Sequence, residues 1–273
     1  MNEDYLEANH GVNPDSVDIV FRDNVSIEGS TAYYDSLYNF VRFHPPSVQE
    51  NYEEVERRMD IDEYMNYYIA EIYFFNQDWP FNNNKFWREQ KEGSKWRWIL
   101  YDLDFGFGAT KRSDNMVEWA TDPSIYQNYI FIRLLDNTGF RNEFLQRFRA
   151  HMNTSFQPDR VVQMIDAFQE RLQPYMERHI ERWGEPSSME YWKTKVEDMR
   201  RFASQRLPKL KTNLNNKFGI GSEKVLSLLN ADPGMSKVLI CEVEIPDTFS
   251  GPFYRSIPLR IEAVPAKGCT FSG

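Results

Sequence analysis

The stretch from Asn76 to Gly106 restricts the fold of this chain more than any other segment. It sets four tryptophans among carboxylates, amides and basic side chains. An apolar core does not require so many polar groups, because each one that is buried must find a hydrogen-bond partner. The polar residues of this stretch are therefore candidates for a functional site.

Asp78 and Asn83 are the first candidates, and they stand five positions apart. The catalytic loop of protein kinases has the same Asp-x-x-x-x-Asn spacing. There the Asp orients or deprotonates the attacking hydroxyl, and the Asn holds a magnesium ion. Asp and Asn are also common turn residues, so the spacing leaves a purely structural interpretation open.

A β-hairpin is predicted directly after this loop. Its strands run from Asn84 to Glu89 and from Lys95 to Tyr101, around the polar turn 90–94. One face of the second strand is expected to carry Trp96, Trp98 and Leu100. The hairpin returns the chain to its start, so we expect Asp102 to lie close enough to Asp78 to share a metal-bound phosphate. Asp104 is a second candidate, because it begins the sequence Asp-Phe-Gly.

Composition indicates a globular protein with a substantial core. The chain has 273 residues, of which 41% are hydrophobic, and its net charge is −9. An acidic balance argues against nucleic acid as the main partner, because phosphate backbones require a basic surface. No apolar run approaches the length of a membrane span, and no signal peptide is visible. The two cysteines, Cys241 and Cys269, can form a disulfide or remain free thiols.

Periodicity predicts regular structure before the hairpin. A short strand is indicated at Val17 to Phe21. Apolar residues recur at helical spacing in 31–44 and again in 61–75. The second of these helices is preceded by a capping pattern at Asp60 and Glu63.

The pattern after the hairpin is mostly helical. Residues 109–124 form an irregular polar segment that is expected to be a loop. From 125 to 218 the spacing is helical. Pro174 is expected to begin a new helix, and Pro208 to interrupt or kink the last one.

The period changes after residue 221. Val238 to Val243 and Ile257 to Ala263 have the composition of β-strands separated by Pro and Gly turns. We therefore predict two domains, residues 1–221 and a partial β-sandwich-like domain at 222–273. The fold class is α+β and mainly α.

The central motifs resemble those of the CotH kinase family, the spore coat protein H type of bacterial atypical protein kinases. They are Asn-x-Asp-Trp-Pro-x-Asn-Asn-x-Lys-x-Trp at 76–87 and Lys-Trp-Arg-Trp-Ile-x-Tyr-Asp-x-Asp at 95–104. The resemblance extends over roughly residues 15–220. It implies a kinase-like C-terminal lobe, ATP with Mg²⁺ or Mn²⁺ as cofactors, and phosphorylation of Ser or Thr hydroxyls on a protein substrate.

The resemblance also assigns roles by position. Asp78 matches the catalytic Asp, and Asn83 matches the metal-holding Asn of the same loop. Asp102 matches the metal-binding Asp that follows the hairpin, and Asp104 is the second choice. The residues expected to contact the nucleotide are Asn82, Asn83 and Lys85.

Other interpretations remain open. In a structural one, Asp78 caps a turn while Asp102 pairs with Arg97 or Arg88. In a functional one, the protein keeps the fold without catalysis, as a structural or binding protein of the spore coat or cell surface. A hydrolase with Asp78 and Asp102 as paired carboxylates is a third, although it does not explain Asn83.

The sequence before Asp78 departs from a kinase pattern. Its 77 residues contain no Gly-rich loop and no strand-rich run with a buried Lys. We therefore expect most of the N-terminal lobe to be absent and the chain to be an incomplete fragment. Such a fragment is expected to bind Mg-ATP weakly at best and to transfer little or no phosphate. The compartment of the parent protein stays open among spore coat, cell surface and secreted.

Overall fold

A computed structural model describes residues 2–22, 25–108 and 115–270 of the chain. It divides into two compact units, Met1–Phe144 and Leu145–Gly273. Helices predominate, and the strands form small antiparallel sheets. The predicted α+β, mainly α class is therefore confirmed.

The first unit contains a four-stranded sheet and short helices. Its helices are α1 Glu3–His10, α2 Ala32–Phe43, α3 Gln49–Arg58, α4 Ile61–Phe74, α5 Met116–Ala120, α6 Tyr129–Leu134 and the start of α7 Thr138–Asn153. Its strands are β1 Val17–Phe21, β2 Val25–Glu28, β3 Lys85–Glu89 and β4 Arg97–Ile99. The strand predicted at 17–21 and the helices predicted in 31–44 and 61–75 are confirmed.

Helix α4 is the element that leads to the predicted site. Asp60 caps its start and accepts the backbone N–H of Glu63 at 3.2 Å. Its apolar positions are buried, as the periodicity predicted. The helix ends where Phe75 adopts a left-handed conformation (φ +61°) and donates its N–H to the carbonyl of Glu71.

The sheet has the strand order β2-β1-β3-β4 and is antiparallel throughout. The predicted hairpin is therefore confirmed, although its strands are shorter than predicted. Leu100 does not continue the buried face of Trp98, because β4 ends at Ile99 and Leu100 is exposed. Ile99 is nevertheless buried on the opposite face, where α1 supplies Leu6 as cover.

An aromatic cluster fills the space between the hairpin and the helices. The ring of Trp98 lies 4.3 Å from that of Tyr64 on α4 and 4.9 Å from that of Phe86 on β3. Trp96 and Tyr34 extend the cluster on the same side. Stacked and edge-on rings pack closely, so the hairpin has a fixed position against α4.

The second unit begins with long helices. They are the rest of α7, α8 Pro158–Trp183 and α9 Met189–Phe218. The prediction that Pro174 begins a new helix is wrong, because α8 runs through it for 26 residues. Pro174 is exposed, so water can bind the carbonyl that its missing N–H leaves without a partner. Helix α9 likewise continues through Pro208.

Five strands follow the helices in the described residues. They are β5 Glu223–Leu229, β6 Ser236–Ile240, β7 Val243–Glu244, β8 Thr248–Tyr254 and β9 Ile261–Pro265. They form one sheet of order β5-β8 and another of order β7-β6-β9. The sequence indicated the region of β6, β7 and β9 but missed β5 and β8. Structure changes from helix to strand near residue 221, yet the two compact units divide within α7, so the domain boundary stays a prediction.

Cys241 and Cys269 are free thiols. Among the described helices, none combines the length and the apolar character that a bilayer span requires.

Replacing Trp98 with Ala is expected to lower the free energy of unfolding by about 3 to 5 kcal/mol, because a buried ring is lost from a packed cluster. Denaturant unfolding measures this change. Trp183→Ala is the matched control, since that ring is 64% exposed. Equal stability of the two variants would contradict the packing role of Trp98.

Candidate functional site

The loop after α4 carries the predicted catalytic residue, Asp78. Backbone bonds fix the start of this loop against the segment that follows the hairpin. Gln77 donates its N–H to the carbonyl of Phe105 at 3.4 Å, and Phe107 donates its N–H to the carbonyl of Phe74 at 2.7 Å. The two loops therefore form one rigid edge beside the end of α4.

Two neighbouring amides hold the carboxylate of Asp78. Asn82 donates from Nδ2 to Oδ1 at 3.0 Å, and Asn83 donates from Nδ2 to Oδ2 at 3.3 Å. The backbone N–H of Asn82 also binds the carbonyl of Asp78 at 2.8 Å. Because each carboxylate oxygen has its own donor, the side chain of Asp78 has a defined orientation.

Asn83 connects this loop with Asp102. Its Nδ2 donates both to Asp78 and to the backbone carbonyl of Asp102, the latter at 3.1 Å. Asn83 and Asp102 have φ values of +55° and +56°, a conformation that Asn and Asp tolerate better than most residues. The structure thus brings the two predicted site residues together through a third.

Asp104 lies in the turn after Asp102 and adds negative charge there. The pKa of Asp102 is above its ordinary value, first through lost hydration, then through the neighbouring Asp104 and the charge of Asp78. A divalent cation would relieve this repulsion. The alternative pairing of Asp102 with Arg97 or Arg88 is wrong, because those two guanidinium groups pair with Asp60 and Asp18 respectively.

Gly106 permits the close approach of the two loops. A Cβ atom at this position would stand 2.8 Å from the carbonyl oxygen of Leu103 and 3.0 Å from that of Phe74. Any larger residue would have to move one of these backbone segments. Steric exclusion of a side chain therefore explains why Gly follows Asp-Phe in this sequence.

Aromatic residues of α4 and α5 pack against the Asp78 loop. Trp79 is fully buried, and its ring packs edge-on against Tyr68 at 5.0 Å. Trp119 of α5 donates its indole N–H to the carbonyl of Trp79 at 2.8 Å. Tyr67 directs its hydroxyl toward the carbonyl of Asn83 at 3.5 Å. The aromatic residues of the motif position the loop, whereas its polar residues form the site.

Lys85 stands at the start of β3, beside the same edge. Its ammonium group lies 5.4 Å from the centre of the Tyr101 ring, and burial lowers its pKa. Burial, with the charge of Asp102 next in importance, raises the pKa of Tyr101 to about 12. Lys85 therefore lies near the site, beside the residue that directly precedes Asp102.

Glu71 and Asn76 belong to this site, although the sequence analysis did not select them. Both are fully buried, and Asn76 donates from Nδ2 to the carbonyl of Asp102 at 3.4 Å. Burial raises the pKa of Glu71 to about 8, partly offset by hydrogen bonding to Asn76. The sequence signal that could have identified Glu71 is a Glu in the last turn of an otherwise apolar helix.

The oxygen ligands of this site suit Mg²⁺ that is held partly by substrate phosphates better than a metal ion held by protein ligands alone. Within residues 2–22, 25–108 and 115–270, no three His, Cys, Asp or Glu side chains are grouped to hold a metal ion. Mg²⁺ commonly takes one or two carboxylates together with substrate phosphates and water. Asp102 and Asp104 can supply the carboxylates. Since no described donor binds Oδ1 of Asn83, this amide oxygen can supply a further ligand.

Part of the predicted loop at 109–124 lies outside the described residues. Residues 109–114 are not described, and the remainder contains α5, whose start Asn115 caps by accepting the N–H of Val117 at 3.1 Å. The prediction of an irregular segment is therefore wrong for residues 116–120. Capping by Asn115 is the local reason that the helix forms there.

Stability is expected to fall as pH rises from about 5 to about 8. Glu71 has a folded pKa of about 8, above its ordinary value of 4.5, so the folded state binds more protons than the unfolded state in this window. Glu71→Gln should reduce this fall in the free energy of unfolding by on the order of 1 to 3 kcal/mol. The measurement is the free energy of unfolding at several pH values.

Glu63 limits the effect of that substitution. Burial raises its pKa to about 8 as well, so part of the pH dependence should persist in Glu71→Gln. The exposed Glu7 provides a control, and Glu7→Gln should keep the wild-type dependence. An unchanged slope in Glu71→Gln would mean that the Glu71 carboxyl is ionised in the folded state.

Comparison with known protein families gives a match. The sequence profile of the family described as CotH kinase protein matches residues 10–210 of the chain. This range contains every candidate site residue. No curated protein matches the chain.

Proposed function

The chain belongs to the CotH kinase family, and on this premise we propose that it transfers the γ-phosphoryl group of ATP to Ser or Thr hydroxyls of a protein. One observation carries the proposal: the amide of Asn83 binds both the carboxylate of Asp78 and the backbone of Asp102. Phosphoryl transfer depends mainly on positioning and electrostatic stabilisation, and this bond fixes two loops relative to each other.

Asp78 is proposed to orient the acceptor hydroxyl and take its proton. The hydroxyl oxygen forms a bond to the γ-phosphorus, while the bond from that phosphorus to the bridging oxygen of ADP breaks. Two neutral amides hold the Asp78 carboxylate, so it does not need to reorganise when the hydroxyl arrives. The amide nitrogen of Asn82 already donates to Asp78. Contact between Asn82 and the nucleotide stays a prediction.

Asp102, Asp104 and Oδ1 of Asn83 are proposed to hold Mg²⁺ or Mn²⁺. The ion would supply positive charge beside the phosphates of the bound nucleotide. Lys85 is proposed to contact the same phosphates, because its ammonium group lies beside Tyr101, the residue before Asp102. Asn83 keeps its amide nitrogen on Asp78 and Asp102, which directs the amide oxygen away from both.

Asp78→Asn should reduce phosphate incorporation by about a hundredfold or more, because Asn cannot accept the proton. The assay is transfer from radiolabelled ATP, with Mg²⁺ or Mn²⁺, to dephosphorylated casein and to the protein itself. Asp136→Asn is the matched control, since that carboxylate is exposed and pairs with Arg133.

The assay also separates this function from its alternative. Incorporation that is equal in Asp78→Asn and wild type would overturn the role of Asp78. If wild-type protein neither transfers phosphate nor binds Mg-ATP, the non-catalytic function of a structural or binding protein of the spore coat or cell surface is favoured.

Asp102→Asn should weaken Mn²⁺ binding by about tenfold or more, and by a larger factor than Asp104→Asn. Hydrogen bonds from Asn83 and Asn76 fix the backbone of Asp102, so its carboxylate is the better positioned of the two. Titration followed by the electron paramagnetic resonance signal of free Mn²⁺ measures this directly. The reverse order would make Asp104 the main ligand.

A further inference from the structure

A polar cavity lies in the first unit, on the face of the β3–β4 hairpin that carries Arg88 and Trp96. Its volume is about 830 Å³, within the range of ligand pockets. Strand β3 determines its position, because alternate side chains point to opposite faces. Lys85 packs beside Tyr101 on one face, whereas Arg88, three residues later, lines the cavity on the other.

Arg88 is a buried cation with unused donors. It is 5% exposed, and its guanidinium lies over the Tyr33 ring at 3.7 Å. Its Nε is 3.0 Å from the carbonyl of Glu89 and 3.3 Å from Oδ2 of Asp18. Among the described residues, none accepts a hydrogen bond from Nη1 or Nη2 of Arg88. Guanidinium donors that line a cavity can make charge-assisted hydrogen bonds, so a ligand that accepts from them would be favoured.

Arg58 supplies a second guanidinium. Its Nη2 donates to Oγ of Ser36 at 2.8 Å, and no carboxylate of the described residues lies within 4.0 Å of it. Burial lowers its pKa. Arg57 and Lys91 also line the cavity, but each already pairs with a carboxylate, Glu54 and Glu89 respectively.

The start of α2 adds to this positive potential. Ala32, Tyr33 and Ser36 of its first turns line the cavity, and Thr31 caps it without a side-chain hydrogen bond to the helix backbone. A helix N-terminus carries partial positive charge and attracts anions.

The acidic residues of the cavity do not cancel this charge. Asp18 is engaged by Arg88, by Nε2 of Gln90 at 2.9 Å and by the N–H of Ser30 at 2.9 Å. Glu92 is the other carboxylate among lining residues that include four cations. The cavity therefore favours a compact anion with several acceptor oxygens.

We propose that this cavity binds the phosphoryl group of a phosphoserine or phosphothreonine on a protein segment. A phosphoryl group offers three strong acceptor oxygens to Arg88 and Arg58. It occupies a small part of about 830 Å³, and the remaining walls include the rings of Tyr33 and Trp96, which can contact flanking residues.

This inference rests on the proposed function for its ligand, since protein phosphorylation produces that group. The cavity would hold a segment that is already phosphorylated, at a surface separate from Asp78. It gives the protein a preference for substrates that carry earlier phosphates.

Fluorescence anisotropy tests the proposal with a short fluorescein-labelled peptide that carries one phosphoserine between Ala and Gly residues. The same peptide with Ser is expected to bind at least about tenfold more weakly, because charged hydrogen bonds are lost. Arg58→Gln should weaken phosphopeptide binding by a similar factor. Arg42→Gln, in the last turn of α2 and outside the cavity lining, should leave it unchanged.

Arg88→Gln should have an effect at least as large as Arg58→Gln. If Arg88→Gln does not fold because it lacks the ion pair with Asp18, Arg58→Gln still tests whether the cavity binds the phosphopeptide. Equal binding of the two peptides, or no effect of Arg58→Gln, would overturn the proposal. If inorganic phosphate competes as tightly as the phosphopeptide binds, the proposed contacts of Tyr33 and Trp96 with the flanking residues are overturned.

The binding assay contains no ATP, so its outcome is independent of catalysis. Asp78→Asn should bind the phosphopeptide like wild type. Loss of phosphate transfer with retained peptide binding separates the two sites, whereas retained transfer without peptide binding overturns only the docking cavity.

Discussion

One side-chain amide connects the parts of the candidate site. Asn83 donates to the carboxylate of Asp78 in its own loop and to the backbone carbonyl of Asp102 across the hairpin. Without this amide, Oδ2 of Asp78 would lose its donor, and the carbonyl of Asp102 would keep only the 3.4 Å bond from Asn76. The left-handed backbone of Asn83 aims the amide at both acceptors, and Asn is a residue type that tolerates this conformation.

Burial of aromatic rings makes this geometry rigid. Trp98 and Phe86 fix the hairpin against α4, and Trp79 fixes the loop that carries Asp78. Polar groups near such a core must be paired, and the amides of Asn76 and Asn83 are placed on Asp102 in this way. Glu71 is buried beside them, and burial raises its pKa to about 8, so the carboxyl group is largely neutral near pH 7.

The two faces of the hairpin serve different chemistries. One edge collects carboxylates and amide oxygens, which suit a hard cation. The opposite face collects guanidinium groups and a helix N-terminus, which suit an anion. Strand β3 contributes to both, because alternation sends Lys85 toward one and Arg88 toward the other. A kinase that acts as proposed would use the first for the metal ion of the nucleotide and the second for a phosphorylated segment.

The sequence by itself determined the local features. Periodicity located β1, α4 and the hairpin, and the motif spacing selected Asp78, Asn83, Asp102 and Asp104. These depend on residues that are close in sequence, so their pattern is visible without the fold. Only the tertiary structure decided which partners the charged groups take: Arg97 with Asp60, Arg88 with Asp18. It also decided that α8 continues through Pro174 and that Glu71 is buried beside the site. Such outcomes depend on solvent exposure and on neighbours far away in sequence, which no local pattern records.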